Sequence, residues 1–177
     1  MNSKTTLRTG EKRVTIIQQQ KLEALKHYFG YDSFREGQEA LVDTILSGGD
    51  CLGVMPTGAG KSICYQLPAL LMDGITLVIS PLISLMKDQV GALTQAGIRA
   101  AYLNSSLTER QSRLALEGAR AGVYRIIYVA PERLESETFR EFAHEARIAM
   151  VMTFSIDSCA PPAMSEPSTT RRPSFSI

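Results

Sequence analysis

Two hydrophobic rhythms alternate along this chain. Apolar residues recur at helical spacing over residues 14–28 (Ile17, Leu22, Leu25, Tyr28) and again over residues 36–46, where Ser47-Gly48-Gly49 supplies a helix stop. Residues 51–55 form a short apolar run, the pattern of a buried strand, followed by a glycine-rich turn and a helix over residues 61–72 with Pro68 as a kink. Residues 75–80 predict a second strand, 82–96 an amphipathic helix and 100–103 a brief third strand. Ser106-Leu107-Thr108-Glu109 has capping-box spacing and predicts a helix reaching about Ala121. Residues 125–130, rich in β-branched and aromatic side chains, predict a fourth strand, 135–146 a helix and 148–154 a fifth strand. Strands separated by helices of this length predict an α/β fold, a parallel sheet with helices on both faces.

Composition narrows the class. A chain of 177 residues suits a single domain, and 44% hydrophobic with 21% charged residues predicts a soluble globular protein. Nineteen Lys+Arg against 18 Asp+Glu leave a net charge of +1, so any surface for nucleic acid has to be local. No apolar run approaches the roughly 20 residues of a membrane span, and the first residues lack the apolar core of a signal peptide. The expectation is a cytoplasmic protein without a membrane partner. Cys51, Cys64 and Cys159 form no C-x-x-C pair and read as buried, reduced thiols. The ends differ from the middle. Residues 1–26 hold six Lys/Arg and two acids, and residues 1–13 read as a flexible lead-in. Four of the eight prolines follow residue 160 among Ser, Thr and two arginines, so the tail from residue 153 reads as disordered, leaving 14–152 as the folded unit.

The candidate chemistry lies at Met55-Pro56-Thr57-Gly58-Ala59-Gly60-Lys61-Ser62. A glycine-rich turn between a strand and a helix presents backbone N–H groups and a positive helix end to a phosphate chain. Thr57, Gly58, Ala59 and Gly60 would form the cradle, Lys61 would reach the β- and γ-phosphates, and the Ser62 hydroxyl would hold Mg²⁺. Met55 stands where the general pattern has its first glycine. The plainer alternative is an ordinary tight strand-to-helix turn.

This loop resembles motif I of superfamily-two helicases, and three neighbouring segments extend the likeness. Phe29-Gly30-Tyr31-Asp32-Ser33-Phe34-Arg35-Glu36-Gly37-Gln38 resembles the adenine-recognising motif of the RecQ family. Ser80-Pro81-Leu82-Ile83-Ser84-Leu85-Met86-Lys87-Asp88-Gln89 resembles its motif Ia, and Ala130-Pro131-Glu132-Arg133-Leu134 its motif Ib. Four motifs in family order span residues 20–152. The resemblance implies part of the first RecA-like lobe of an ATP-dependent, 3′-to-5′ DNA helicase acting in recombination and repair, with ATP and Mg²⁺ as cofactors and single-stranded DNA as partner. It implies that Gln38 bonds the adenine edge, Tyr31 stacks near the base and Arg35 contacts nucleotide or braces the motif. It also implies that Ser84, Lys87, Asn104 and Arg133 track a DNA backbone through weak, salt-dependent phosphate contacts. On residue chemistry alone, Tyr31 serves equally as a core aromatic, Arg35 as a surface ion pair and Lys87 as a solvated helix face.

The family's Asp-Glu-Ala-His motif, which supplies the acids that hold Mg²⁺ and activate water, falls by spacing near Thr153. This chain instead reads Thr153-Phe154-Ser155-Ile156-Asp157-Ser158-Cys159, with Asp157 as the single acid and Ser158 in the glutamate's place. No catalytic residue is therefore assigned, and the expectation is an ATP-binding fragment that is not a motor alone. The exposed sheet edge would receive the missing helicase lobe or another protein. Two alternatives stand beside it: a non-catalytic nucleotide-binding or interaction module, and another P-loop enzyme such as a small kinase. The likeness ends abruptly after Met152, as a shifted reading frame or truncated gene would produce. Resequencing the gene across codons 145–177 should then find the missing helicase codons in another frame; their absence from all three contradicts that origin.

Overall fold

The computed structural model describes residues 9–56 and 58–154. The expectations for the N-terminal residues 1–8, for Thr57, and for the tail from residue 155, with Asp157, Ser158 and Cys159, lie outside the described residues. Among the described residues, six α-helices, α1 (Thr9–Phe29), α2 (Gln38–Leu46), α3 (Lys61–Leu71), α4 (Ile83–Gln95), α5 (Glu109–Arg120) and α6 (Glu137–Glu145), accompany four strands. The strands are β1 (Ile75–Ile79), β2 (Ala100–Leu103), β3 (Ile126–Val129) and β4 (Ile148–Thr153), and a 3-10 turn covers Pro131–Arg133. All strand pairings are parallel, in the order β2-β3-β1-β4.

The period-two alternation of β-strands sends successive side chains to opposite faces of this sheet. Val78, Ile126 and Tyr128 face one side, where they pack with Tyr65 and Ala69 of α3 and Met86 and Leu93 of α4. Leu77, Ile127 and Val129 face the other, against Leu116 and Ala119 of α5 and Phe139 and Phe142 of α6. Helices thus cover both faces, as the α/β pattern predicts. A third cluster joins α1, α2 and α3 through Leu25, Val42, Ile63 and Leu67. Fully burying one such side chain contributes about 1.5–3 kcal/mol, so the sheet rather than any single helix carries the fold.

Local chemistry explains the boundaries. Thr108 caps α5: its hydroxyl accepts from the Gln111 N–H at 3.3 Å, and the Gln111 side-chain oxygen accepts from the Thr108 N–H at 2.9 Å. The capping box is therefore set two residues later than Ser106–Glu109, with Thr108 in the extended N-cap conformation. The Ser106 hydroxyl is instead bonded to the Asn104 side chain at 2.7 Å. Helix α3 runs on through Pro68 to Leu71, and the Pro68 carbonyl still accepts from Met72 N–H at 2.8 Å. Helix α1 begins at Thr9, inside the stretch expected to be flexible.

One predicted strand is not one. Residues 51–55 form no strand pairing, with Leu52 87% and Val54 89% exposed, and Cys51 is exposed while Cys64 is buried. An apolar run becomes a strand only when a neighbour takes its backbone N–H and C=O groups. The described sheet has β2 and β4 at its edges, and the run pairs with neither.

Candidate functional site

The glycine-rich loop lies ahead of α3, and its backbone explains its sequence. Gly58 and Gly60 both stand in the left-handed region, at φ 82° and 77°, which side chains with a Cβ rarely adopt. The Ala59 N–H donates to the Pro56 carbonyl at 3.2 Å and closes the turn. Gly60 is the N-cap of α3; no side chain caps that helix end and its first turn holds no acid. The positive end of α3 is thus left uncompensated by its own first turn, beside the exposed Lys61 and half-buried Ser62.

The segment before α2 closes on this loop. Gln38 is 1% exposed. Its side-chain oxygen accepts from the Arg35 N–H at 2.9 Å, and its amide nitrogen donates to the carbonyls of Ala59 at 3.0 Å and Gly60 at 3.1 Å. The Arg35 guanidinium donates to the Gly58 carbonyl at 2.8 Å and lies 5.9 Å from the centre of the exposed Tyr31 ring. Two motifs more than twenty residues apart form one hydrogen-bonded unit. Gln38, expected to face a base, spends both amide N–H groups on the loop.

For Mg²⁺, the Ser62 hydroxyl is the expected ligand, and no cluster of three His, Cys, Asp or Glu able to hold a metal occurs among the described residues. A single hydroxyl suits this ion, which keeps several waters and is shared with substrate phosphates.

The expected DNA face divides in two. Ser84 and Lys87 are exposed on α4 at a spacing that puts them on one face, at a helix end with no side-chain cap and no acid in its first turn. Asn104, expected to contact a DNA strand, is fully buried, and its side-chain oxygen accepts from the Ser106 N–H at 3.0 Å and the Ser106 hydroxyl at 2.7 Å. Arg133 is half-buried and donates to the Asn104 carbonyl at 2.8 and 3.2 Å and to the Leu107 carbonyl at 3.3 Å. Both shape the loop after β2, because buried carbonyls and amides need partners.

Sequence reasoning missed a polar chain through the core. The Gln66 amide donates to the Gln89 side-chain oxygen at 2.9 Å and to the Tyr128 hydroxyl at 3.1 Å, and the Tyr65 and Tyr128 hydroxyls are 3.0 Å apart. It links α3, β3 and α4. Burial pushes the Tyr65 hydroxyl well above its usual range and also raises that of Tyr128. The signal available was Gln66, a polar residue inside an apolar helical stretch.

The family model for the DEAD/DEAH box helicase matches residues 35–154. The chain belongs to that helicase family, and its place within it is the RecQ branch. It is 52% identical over 116 residues to the ATP-dependent DNA helicase RecQ of Bacillus subtilis, covering 65% of this chain and 20% of that relative. Against the RecQ helicase of Haemophilus influenzae it is 48% identical over 130 residues, covering 73% and 21%. Against the ATP-dependent DNA helicase Q-like 5 of Arabidopsis thaliana the identity is 45% over 111 residues, covering 63% and 12%. The chain spans about a fifth of the length of the bacterial RecQ relatives it matches. Its fold is a partial RecA-like α/β lobe. DEAD/DEAH helicases use ATP, usually with Mg²⁺, and no helix among the described residues is long and apolar enough to cross a membrane.

A Cβ at Gly60 would sit 2.6 Å from the Gln38 amide nitrogen, in a backbone conformation that already disfavours it. Gly60→Ala should therefore cost about 1–3 kcal/mol in urea unfolding, the scale of one strained position; wild-type stability would contradict the loop geometry.

Proposed function

We propose that this chain is an ATP-binding, single-stranded-DNA-contacting piece of a RecQ-like helicase, a wall of the nucleotide cleft rather than a motor by itself. The observation that carries the reading is the open N-terminal end of α3, presented by two left-handed glycines and flanked by Lys61 and Ser62. Phosphates carry negative charge and acceptor oxygens, which a positive helix end and an ammonium both favour. Lys61 would take the β- and γ-phosphates and Ser62 would offer its hydroxyl to Mg²⁺. Tyr31 has an exposed ring for a base to stack against. Gln38 reaches an adenine edge only by releasing a loop carbonyl, so base binding and loop geometry are exchanged through one amide.

On the DNA side, Ser84 and Lys87 form the contact surface, while Asn104 and Arg133 hold its neighbouring loop. Contacts of this kind bind phosphate without reading base identity. The unpaired edge of β4, with exposed Val151, and the bare side chains of Leu52 and Val54 are the surfaces where the second helicase lobe or another protein would dock. The small-kinase alternative loses its support, because the family match extends across the sheet and not over the loop alone. Contribution to recombination and repair belongs to the complete helicase of which this lobe would be part.

Lys61→Ala should abolish binding of a fluorescent ATP analogue in an anisotropy titration; unchanged affinity would remove the phosphate-loop assignment. In the same format with single-stranded DNA, Lys87→Ala should reduce the slope of log affinity against log salt by roughly 0.7, the value of one phosphate contact on a single strand. An unaltered slope would place the DNA surface elsewhere.

A further inference from the structure

Lys21 lies in the middle of α1 and its side chain is 0% exposed. Burying an ammonium is costly unless carboxylates and hydrogen bonds replace the water it loses. Here the Asp43 carboxylate is 2.5 Å from the Lys21 Nζ and the Glu39 carboxylate 2.8 Å, both on α2 and four residues apart. The same Nζ lies 5.6 Å from the centre of the Phe34 ring. Burial alone would lower the Lys21 pKa, but its bonds and attraction to Asp43 and Glu39 outweigh that and raise it, so the cation persists.

The partners bracket one segment. Phe34 precedes Arg35, whose guanidinium holds the Gly58 carbonyl, and Glu39 follows Gln38, whose amide holds the Ala59 and Gly60 carbonyls. One buried cation therefore grips both flanks of the stretch 34–39 that carries the two side chains closing on the phosphate loop. We infer that Lys21 is a positioning residue for the nucleotide site: it fixes the segment 34–39 against α1, and through Arg35 and Gln38 it sets the backbone of the loop 58–60. This rests on the proposed nucleotide-binding function for its consequence in affinity, but the ordering of the loop is a property of the chain without ligand.

The test uses the full chain with Lys21→Met, which keeps the apolar stem and removes the charge, and Lys21→Arg, which restores the charge. Hydrogen exchange of the backbone amides 58–62 without nucleotide is read first, then the affinity for a fluorescent ATP analogue, with a thermal melt beside both. Lys21→Met should accelerate exchange in the loop and weaken the analogue by about tenfold, the scale of one charge-assisted hydrogen bond. Lys21→Arg should recover most of both. In a Gln38→Ala background, Lys21→Met should add little further, because its path to the loop is already cut.

A lowered melting point with unchanged loop exchange and unchanged affinity would make Lys21 a packing residue and overturn the inference, as would full additivity with Gln38→Ala. If the unmodified chain binds no ATP analogue, the nucleotide reading fails on its own. Loop exchange in Lys21→Met then still decides the positioning role. Should Lys21→Met not fold, Glu39→Gln removes one of the two carboxylates at the exposed side of the pair, and a smaller acceleration of the same loop amides is required.

Discussion

The contact between a glutamine amide and two backbone carbonyls holds the site together. Gln38 can reach the carbonyls of Ala59 and Gly60 because Gly60 has no Cβ and stands in the left-handed region. That conformation also turns the chain into the first turn of α3, so Gly60 is at once a loop residue and a helix cap. The same atoms thus satisfy the loop's own carbonyls and leave the helix end open. A buried amide left without such partners would cost more than the bond itself contributes, so the motif around Gln38 and the glycine-rich loop stabilise each other.

The sheet supplies the rigid base for this arrangement. Parallel strands need cover on both faces, and the cover on one face is α3 and α4, the two helices whose N-terminal ends carry the expected phosphate-binding residues. Their packing is not only apolar. Gln66 on α3 bonds Gln89 on α4 and the Tyr128 hydroxyl on β3, so the helix proposed to hold nucleotide is tied by hydrogen bonds to the helix proposed to meet DNA. Polar groups inside a core have few alternative partners. That makes the spacing between the two helices a specified quantity rather than a loose hydrophobic fit.

Much of this was legible in the sequence, and the failures have physical causes. The strands 75–79, 100–103 and 126–129 follow apolar runs closely, because strands inside a two-faced sheet bury nearly every side chain, and 148–153 follows one too although at the sheet's edge its side chains are only half-buried or exposed. The run 51–55 has the same composition, but pairing is a relation between segments and composition cannot reveal whether a neighbour exists. Asn104 and Gln38 show the same limit for side chains. Their chemistry suits ligand contact, yet an amide also suits the buried carbonyls and N–H groups of a tight loop, and both amides make such bonds here. Lys21 escaped notice for a related reason: a lysine on a helix reads as solvated until two carboxylates and an aromatic ring are brought around it.

The most direct test of the phosphate-loop reading is a two-dimensional nitrogen–proton NMR titration of the full chain with Mg²⁺ and a slowly hydrolysed ATP analogue. The largest shifts should fall on the backbone amides of Gly58, Gly60, Lys61 and Ser62 and on the side-chain amide of Gln38, with the β2 edge of the sheet unmoved. Saturation with these amides unmoved, or shifts centred on another surface, would contradict the assignment of α3's open end as the nucleotide site.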